Sequence, residues 1–187
     1  RDRDYAEAHN GLGFVLHEQS KFPEALAEYR AVLRLKPDFA TGYCNLGGIQ
    51  EEVGSFDEAL ASFREALRHD PHHAGAYSLL ATMLRGRLPD EDLQAMRRLL
   101  ARPHLAPAKR LALHFGVAQV LDAAGSYAEA AEHLQRGNAL CLALWDKQGR
   151  AYDPKAHTRM ADELMRAFAP PFFTRVRGFG LDAETPV

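Results

Sequence analysis

The chain has 187 residues, 47% hydrophobic and 26% charged, a balance that builds a core and argues against disorder. Lys and Arg number 23 against 25 Asp and Glu, and the net charge of −2 excludes a nucleic-acid binder held by bulk charge. Two cysteines, Cys44 and Cys141, are too few for a disulfide framework or a four-ligand zinc site, and no apolar run approaches the ~20 residues of a membrane helix. The opening Arg1-Asp2-Arg3-Asp4 has neither Met nor an apolar signal region. It reads as the interior of something larger, with the cytoplasm as the expected compartment.

Residues 6–39 superpose on 40–73 with 13 identities in 34 positions, where unrelated windows share about two or three. Among them are Leu12/Leu46, Gly13/Gly47, Phe22/Phe56, Ala25/Ala59, Arg30/Arg64, Leu33/Leu67 and Pro37/Pro71. Each unit predicts two helices. In the first, Ala8, Leu12, Val15 and Leu16 recur at helical spacing, and Ala25, Leu26, Tyr29, Val32 and Leu33 do so in the second. Ser20-Lys21 and Gly54-Ser55 supply the turns, while Pro37 and Pro71 close the second helices. Glycine inside a helix costs ~1 kcal/mol against alanine, so Gly13 and Gly47 predict a close helix crossing. Ala25, Ala59 and Ala130 are the expected small partners.

Gly54-Ser55-Phe56-Asp57-Glu58-Ala59 is echoed 71 residues later by Gly125-Ser126-Tyr127-Ala128-Glu129-Ala130, which leaves 37 residues for a third unit. The predicted units are thus 6–39, 40–73, an irregular pair over 74–110, and 111–147 with an overlong last helix. On that last helix Ala130, Leu134, Gly137, Cys141, Leu144 and Trp145 share a face and are expected to cover the open end. Residues 148–187 form an extension. Asp153-Pro154 starts a helix carrying Met160, Leu164, Met165 and Phe168 on one side, and Pro170-Pro171 ends it.

The first two units resemble tetratricopeptide repeats. Unit 2 carries the pattern in Tyr43, Leu46, Gly47, Ala59, Phe63, Ala66 and Pro71; unit 1 departs from it at His9 and Val32. Unit 4 keeps Ala118, Tyr127, Ala130 and Leu134 without a closing proline. The resemblance implies an all-α fold, a right-handed solenoid of helix hairpins with a C-terminal helical extension. It also implies a non-catalytic scaffold that binds a protein or peptide in its concave groove. The run 129–138, Tyr152-Asp153-Pro154 and Pro170-Pro171-Phe172-Phe173 resembles the segment joining such repeats to a bacterial sulfotransferase domain. That family binds 3′-phosphoadenosine-5′-phosphosulfate through a loop that does not occur here, so no catalytic residue transfers. The alternatives are a piece of such an enzyme, with its catalytic domain beyond this chain, and a self-association module forming a homo-oligomer.

No phosphate loop, nucleophile elbow or His-Glu-x-x-His motif occurs, and no catalytic residue, cofactor or metal is expected in the chain. His69, His72 and His73 cluster around Pro71 but lack a clear fourth ligand, so they are expected to be solvated turn residues. Nothing basic flanks Cys44 or Cys141, which predicts structural thiols. In a stack whose core takes Leu12, Gly13 and Leu16, the groove is expected to be lined by Asn10, Phe14 and His17. From unit 2 come Asn45, Glu51 and Glu52, and from unit 3 Ser78, Thr82 and Arg85. Chaperone-tail binders of this repeat family clamp a carboxylate with Lys, Arg and Asn. Asn45 matches one such position, but Asn10, Gly75 and Leu79 stand where cations are needed, which excludes that partner class. Residues 85–110 carry seven Lys/Arg against three Asp/Glu, a basic tract able to meet an acidic partner or to remain a solvated face. Stacking itself demands that Leu12 and Leu46 both be buried.

Overall fold

The computed structural model describes residues 2–147, 149 and 154–167. The chain divides into two units, 1–144 and 145–187. Eight helices begin in the first: α1 (Asp2–Glu18), α2 (Phe22–Leu35), α3 (Ala40–Glu52), α4 (Phe56–His69), α5 (Ala74–Met83), α6 (Asp90–Leu100), α7 (Pro107–Ala123) and α8 (Tyr127–Lys147). The second unit contains α9 (Pro154–Ala167). No strand occurs among the described residues, and the all-α hairpin solenoid stands.

One turn is used four times. Ser20, Gly54, Arg85 and Gly125 each take a positive φ, between 49° and 82°. The next residue donates its N–H to the carbonyl five positions back: Lys21 to Leu16, Ser55 to Gln50, Gly86 to Ala81 and Ser126 to Leu121. This bond is the signature of a helix that stops on a left-handed residue, and it satisfies a carbonyl that helix termination leaves open. The second helices of units 1 and 2 stop differently. Lys36 and Asp70 are extended, at φ −140° and −133°, as the residue before a proline must be.

The intrahelical glycines make room for aromatic rings. A Cβ on Gly13 would lie 2.8 Å from Tyr29 Cε1, and one on Gly47 would lie 2.7 Å from Phe63 Cε1. The close crossing therefore exists, although its partner is the ring of the second helix rather than an alanine alone. Tyr29 and Phe63 are wholly buried. Among the described residues the buried Tyr29 hydroxyl has no hydrogen-bond partner. Burial, together with the charge of Glu18, pushes its pKa up to about 12.

The expectation for Leu12 fails. Leu46 and Ile49 of α3 are 8% and 0% exposed, in one cluster with Ala25 and Tyr29 of the preceding hairpin. Their repeat equivalents on α1, Leu12 and Val15, are 48% and 49% exposed. Stacking therefore holds where a preceding hairpin packs on the helix, as on α3, while Leu12 and Val15 of α1 are exposed.

Unit 3 departs from the pattern. Helix α5 is only 10 residues long and packs chiefly on α7 rather than on its own partner α6. Gly116 of α7 permits this, since a Cβ there would lie 3.2 Å from Ser78 Cα and 2.6 Å from the buried Met96 Cε. Helix α7 also starts at Pro107, four residues before the expected 111. Ala106 is extended at ψ 140°, and a proline in the first turn has no N–H to leave unpaired. Helix α8 does run to Lys147, but only part of its predicted face is covered. Ala130 and Gly137 are buried, Cys141 and Leu144 half-buried, and Leu134 and Trp145 exposed. On α9, Met160 and Met165 are exposed. Asp153, Phe168 and the residues from Pro170 onward lie outside the described residues.

Candidate functional site

The first helices of the hairpins run side by side: α1 beside α3, α3 beside α5, and α5 beside α7. Polar side chains cross from one to the next. Asn45 Nδ2 donates to Asn10 Oδ1 at 2.9 Å, and His17 Nε2 meets Glu52 Oε1 at 2.8 Å. Both steps span 35 residues, one more than the repeat, because the partner is the neighbouring position on the next first helix. Farther along, the Thr82 hydroxyl is shared between Ser78 O at 3.1 Å and Gln119 Oε1 at 3.2 Å. Asn10, Phe14 and His17 lie one helical turn apart on α1, with Phe14 55% exposed between the two polar links. Glu51 is half-buried; burial first, then the charge of Glu52, raises its carboxyl pKa. Arg85 is exposed in the left-handed turn after α5.

The structure thus joins Asn10 to Asn45, His17 to Glu52, and Ser78 to Thr82. Gln119 is the lining residue the sequence reading missed. Its signal lay in the 37-residue spacing of the third unit, which carries Thr82 onto Gln119. Cys44, beside Asn45, faces inward instead. It is buried in the main cluster, and burial pushes its thiol up to about 12, so it is no nucleophile at neutral pH. Tyr43 is half-buried and stacks on His69 with ring centroids 5.3 Å apart.

The three histidines around Pro71 have separate partners. His69 stacks on Tyr43, and His72 Nε2 meets Arg102 Nη2 at 2.9 Å. His73 caps α5 by accepting the Ala76 N–H at 3.1 Å on Nδ1. Among the described residues no group of His, Cys, Asp or Glu is arranged to hold a metal. A buried polar link ties the second hairpin together: Ser62 Oγ donates to Gln50 Oε1 at 2.6 Å, and Gln50 Nε2 to Glu58 at 3.0 Å. Such a link, with every member paired, rigidifies the hairpin.

These features define a helical-repeat scaffold. Residues 15–54 match a family model described as TPR repeat, and residues 40–73 match one described as tetratricopeptide repeat. Residues 15–73 thus carry tetratricopeptide repeats. No curated protein sequence matches the chain. Among solved structures it is similar to PilW, titled a widely conserved type IV pilus biogenesis factor, with 21% identity and a TM-score of 0.62 over 72% of this chain. It is also similar to pilF of Pseudomonas aeruginosa, with 19% identity and a TM-score of 0.63 over 74% of this chain. The MamA protein shares 17% identity at a TM-score of 0.54, over 82% of this chain and 81% of its own. The chain spans 61% of the PilW structure and 62% of the pilF structure, under two thirds of either. At these identities the likeness is one of fold. None of the matches extends the sulfotransferase resemblance of the tail, whose residues beyond 149 are largely outside those described. No helix among the described residues is long and apolar enough to cross a membrane.

Proposed function

We propose that the chain is a non-catalytic scaffold that holds a protein segment against the row of first helices α1, α3 and α5. The residues assigned to the contact are Asn10, Phe14, His17, Asn45, Glu51, Glu52, Ser78, Thr82 and Arg85. One observation carries the proposal: Phe14 stands exposed between the Asn10–Asn45 and His17–Glu52 links. An aromatic anchor flanked by fixed polar groups is what a peptide needs for affinity and register. Side chains already locked to a neighbouring helix lose little freedom on binding. A place beside a sulfotransferase domain in a bacterial parent belongs to the same proposal and rests on the tail sequence.

The test is selection of peptides from a random display library against the chain, followed by titration of the selected peptides. Phe14→Ala with Asn45→Ala is expected to weaken them about tenfold or more, the effect of losing one interface hot spot. Selected peptides that bind the double variant unchanged would sink the assignment.

Self-association is the second reading, favoured by the exposed apolar Leu12 and Val15 on α1. Sedimentation across a concentration range is expected to show a dimer that Leu12→Asp abolishes. A monomer at every concentration removes this reading and leaves the first intact.

A further inference from the structure

The basic tract predicted at 85–110 does not spread over one solvated face. Three of its neighbours and members converge on a pocket of about 510 Å³ between α6, α7 and α8. Arg97 comes from α6, Arg110 from α7 and Arg136 from α8, and all three line the cavity. Glu129 is the one carboxylate among the lining residues, and it is paired with Arg97 at 2.7 Å. Arg136 is also held from its own helix by Glu132, at 3.1 Å. Arg110 is fixed by its two terminal nitrogens, which donate at 2.7 Å to Leu100 O and to Arg102 O at the end of α6. The wall of the pocket is made by His114 of α7 and His133 of α8, 7% and 8% exposed, with their Nδ1 atoms 3.1 Å apart.

We propose that this pocket binds a tetrahedral oxyanion carrying two negative charges, such as sulfate or a phosphate group. Three guanidiniums against Glu129 in the lining and Glu132 beside it leave an excess of one positive charge, to which a protonated imidazole adds a second, so a dianion is neutralised. Arg110 is held rigid before any ligand arrives by the two carbonyls that take one N–H from each terminal nitrogen, so its remaining N–H donors lose no freedom on binding. The imidazoles complete the design. Burial, then His133, Arg136 and Arg110, lower the His114 pKa to about 4. Burial also lowers that of His133, with Arg136 and Arg97 adding to the effect and Glu129 and Glu132 opposing it. A dianion reverses the surrounding charge, so its binding raises both pKa values and draws in a proton. By linkage, affinity rises as pH falls. The sign for stability is opposite without the anion: unfolded imidazoles protonate near 6.5 and the folded His114 only near 4, so acidification through that window destabilises the empty chain.

The experiment is calorimetric titration of the whole chain with sodium sulfate, which stays a dianion throughout, at ionic strength matched with sodium chloride. Saturable binding is expected, at least about threefold tighter near pH 5.5 than near pH 7.5. Arg136→Gln removes a side chain that is 60% exposed and is expected to fold normally while weakening sulfate about tenfold. Histidine NMR titration in saturating sulfate should move the His114 pKa up by about one unit or more. A phosphoserine peptide and its unphosphorylated twin distinguish the sources of the anion. Tighter binding of the phosphopeptide than of sulfate assigns a phosphorylated partner, and equal or weaker binding assigns a free anion. No saturable sulfate binding at either pH, or binding indifferent to Arg136→Gln, overturns the proposal.

Discussion

Phe63→Ala is expected to destabilise the chain by about 3–5 kcal/mol, a large share of the 5–15 kcal/mol that holds a typical domain folded. The Phe63 ring is wholly buried in the cluster that contains Ala59, Ala66, Tyr77 and Leu80, so it joins the second hairpin to α5. What surrounds the ring cannot fill its place. Gly47, over which it lies, has no side chain, and Ala59 has only a methyl. The residual cavity therefore stays open, and the lost contacts add to the lost transfer energy. A repeat array sums unit and interface terms, and this deletion weakens both. Phe56→Ala is the matched control. It removes the same ring from a position 59% exposed and should change stability by no more than about 0.5 kcal/mol. Urea denaturation followed by far-ultraviolet circular dichroism gives both values, and the thermal midpoint of Phe63→Ala should fall by roughly 10 °C. Equal losses for the two variants would mean that the Phe63 ring does not hold the joint.

What the sequence revealed is what repeats. Helical stripes, left-handed turn residues and closing prolines recur at a fixed spacing, so each vouches for the others, and the hairpins follow. The glycine–aromatic packing was legible as a cost at Gly13 and Gly47 that only a close neighbour offsets. Partners were less legible than faces. Periodicity put Leu12 on an apolar stripe, but burial needs a hairpin in front of it, and periodicity cannot supply one. The lateral links failed to stand out because they step by 35 residues, beside the repeat instead of on it. His73 as a helix cap, Arg110 as a clamp on the end of α6, and the His114–His133 pair each occur once. A single contact between side chains remote in sequence leaves no pattern to detect. The third unit was hardest for the same reason, since its short α5 exchanges its own partner for α7 through Gly116, which stands where unit 2 has Asn45 and unit 3 has Leu79.

That exchange makes Gly86 the most sensitive turn position. Gly86→Ala is expected to cost roughly 2–5 kcal/mol, from two separable sources. The first is conformational. Gly86 sits at φ +75°, where an L-residue with a Cβ is strained by about 1–2 kcal/mol. The second is a collision. A Cβ there would lie 2.2 Å from the Gln119 carbonyl oxygen and 2.8 Å from Ala123 Cβ, so helix α7 itself has to shift. Backbone inside a helix yields far less readily than the tip of a side chain, and overpacking of this kind costs about 1–3 kcal/mol. Gly54→Ala separates the two sources. Gly54 has φ +82° but nothing within 4 Å of its Cβ position, so it bears the conformational strain alone. Urea denaturation should therefore rank Gly86→Ala well below Gly54→Ala in stability, by about the overpacking term. The displaced α7 should also release the hydroxyl of Thr82 from Gln119, 3.2 Å away, and shift the amide resonances of both residues. Equal destabilisation by the two substitutions would show that the turn after α5 does not bear on α7, and with it would go the account of why the third unit abandons the repeat.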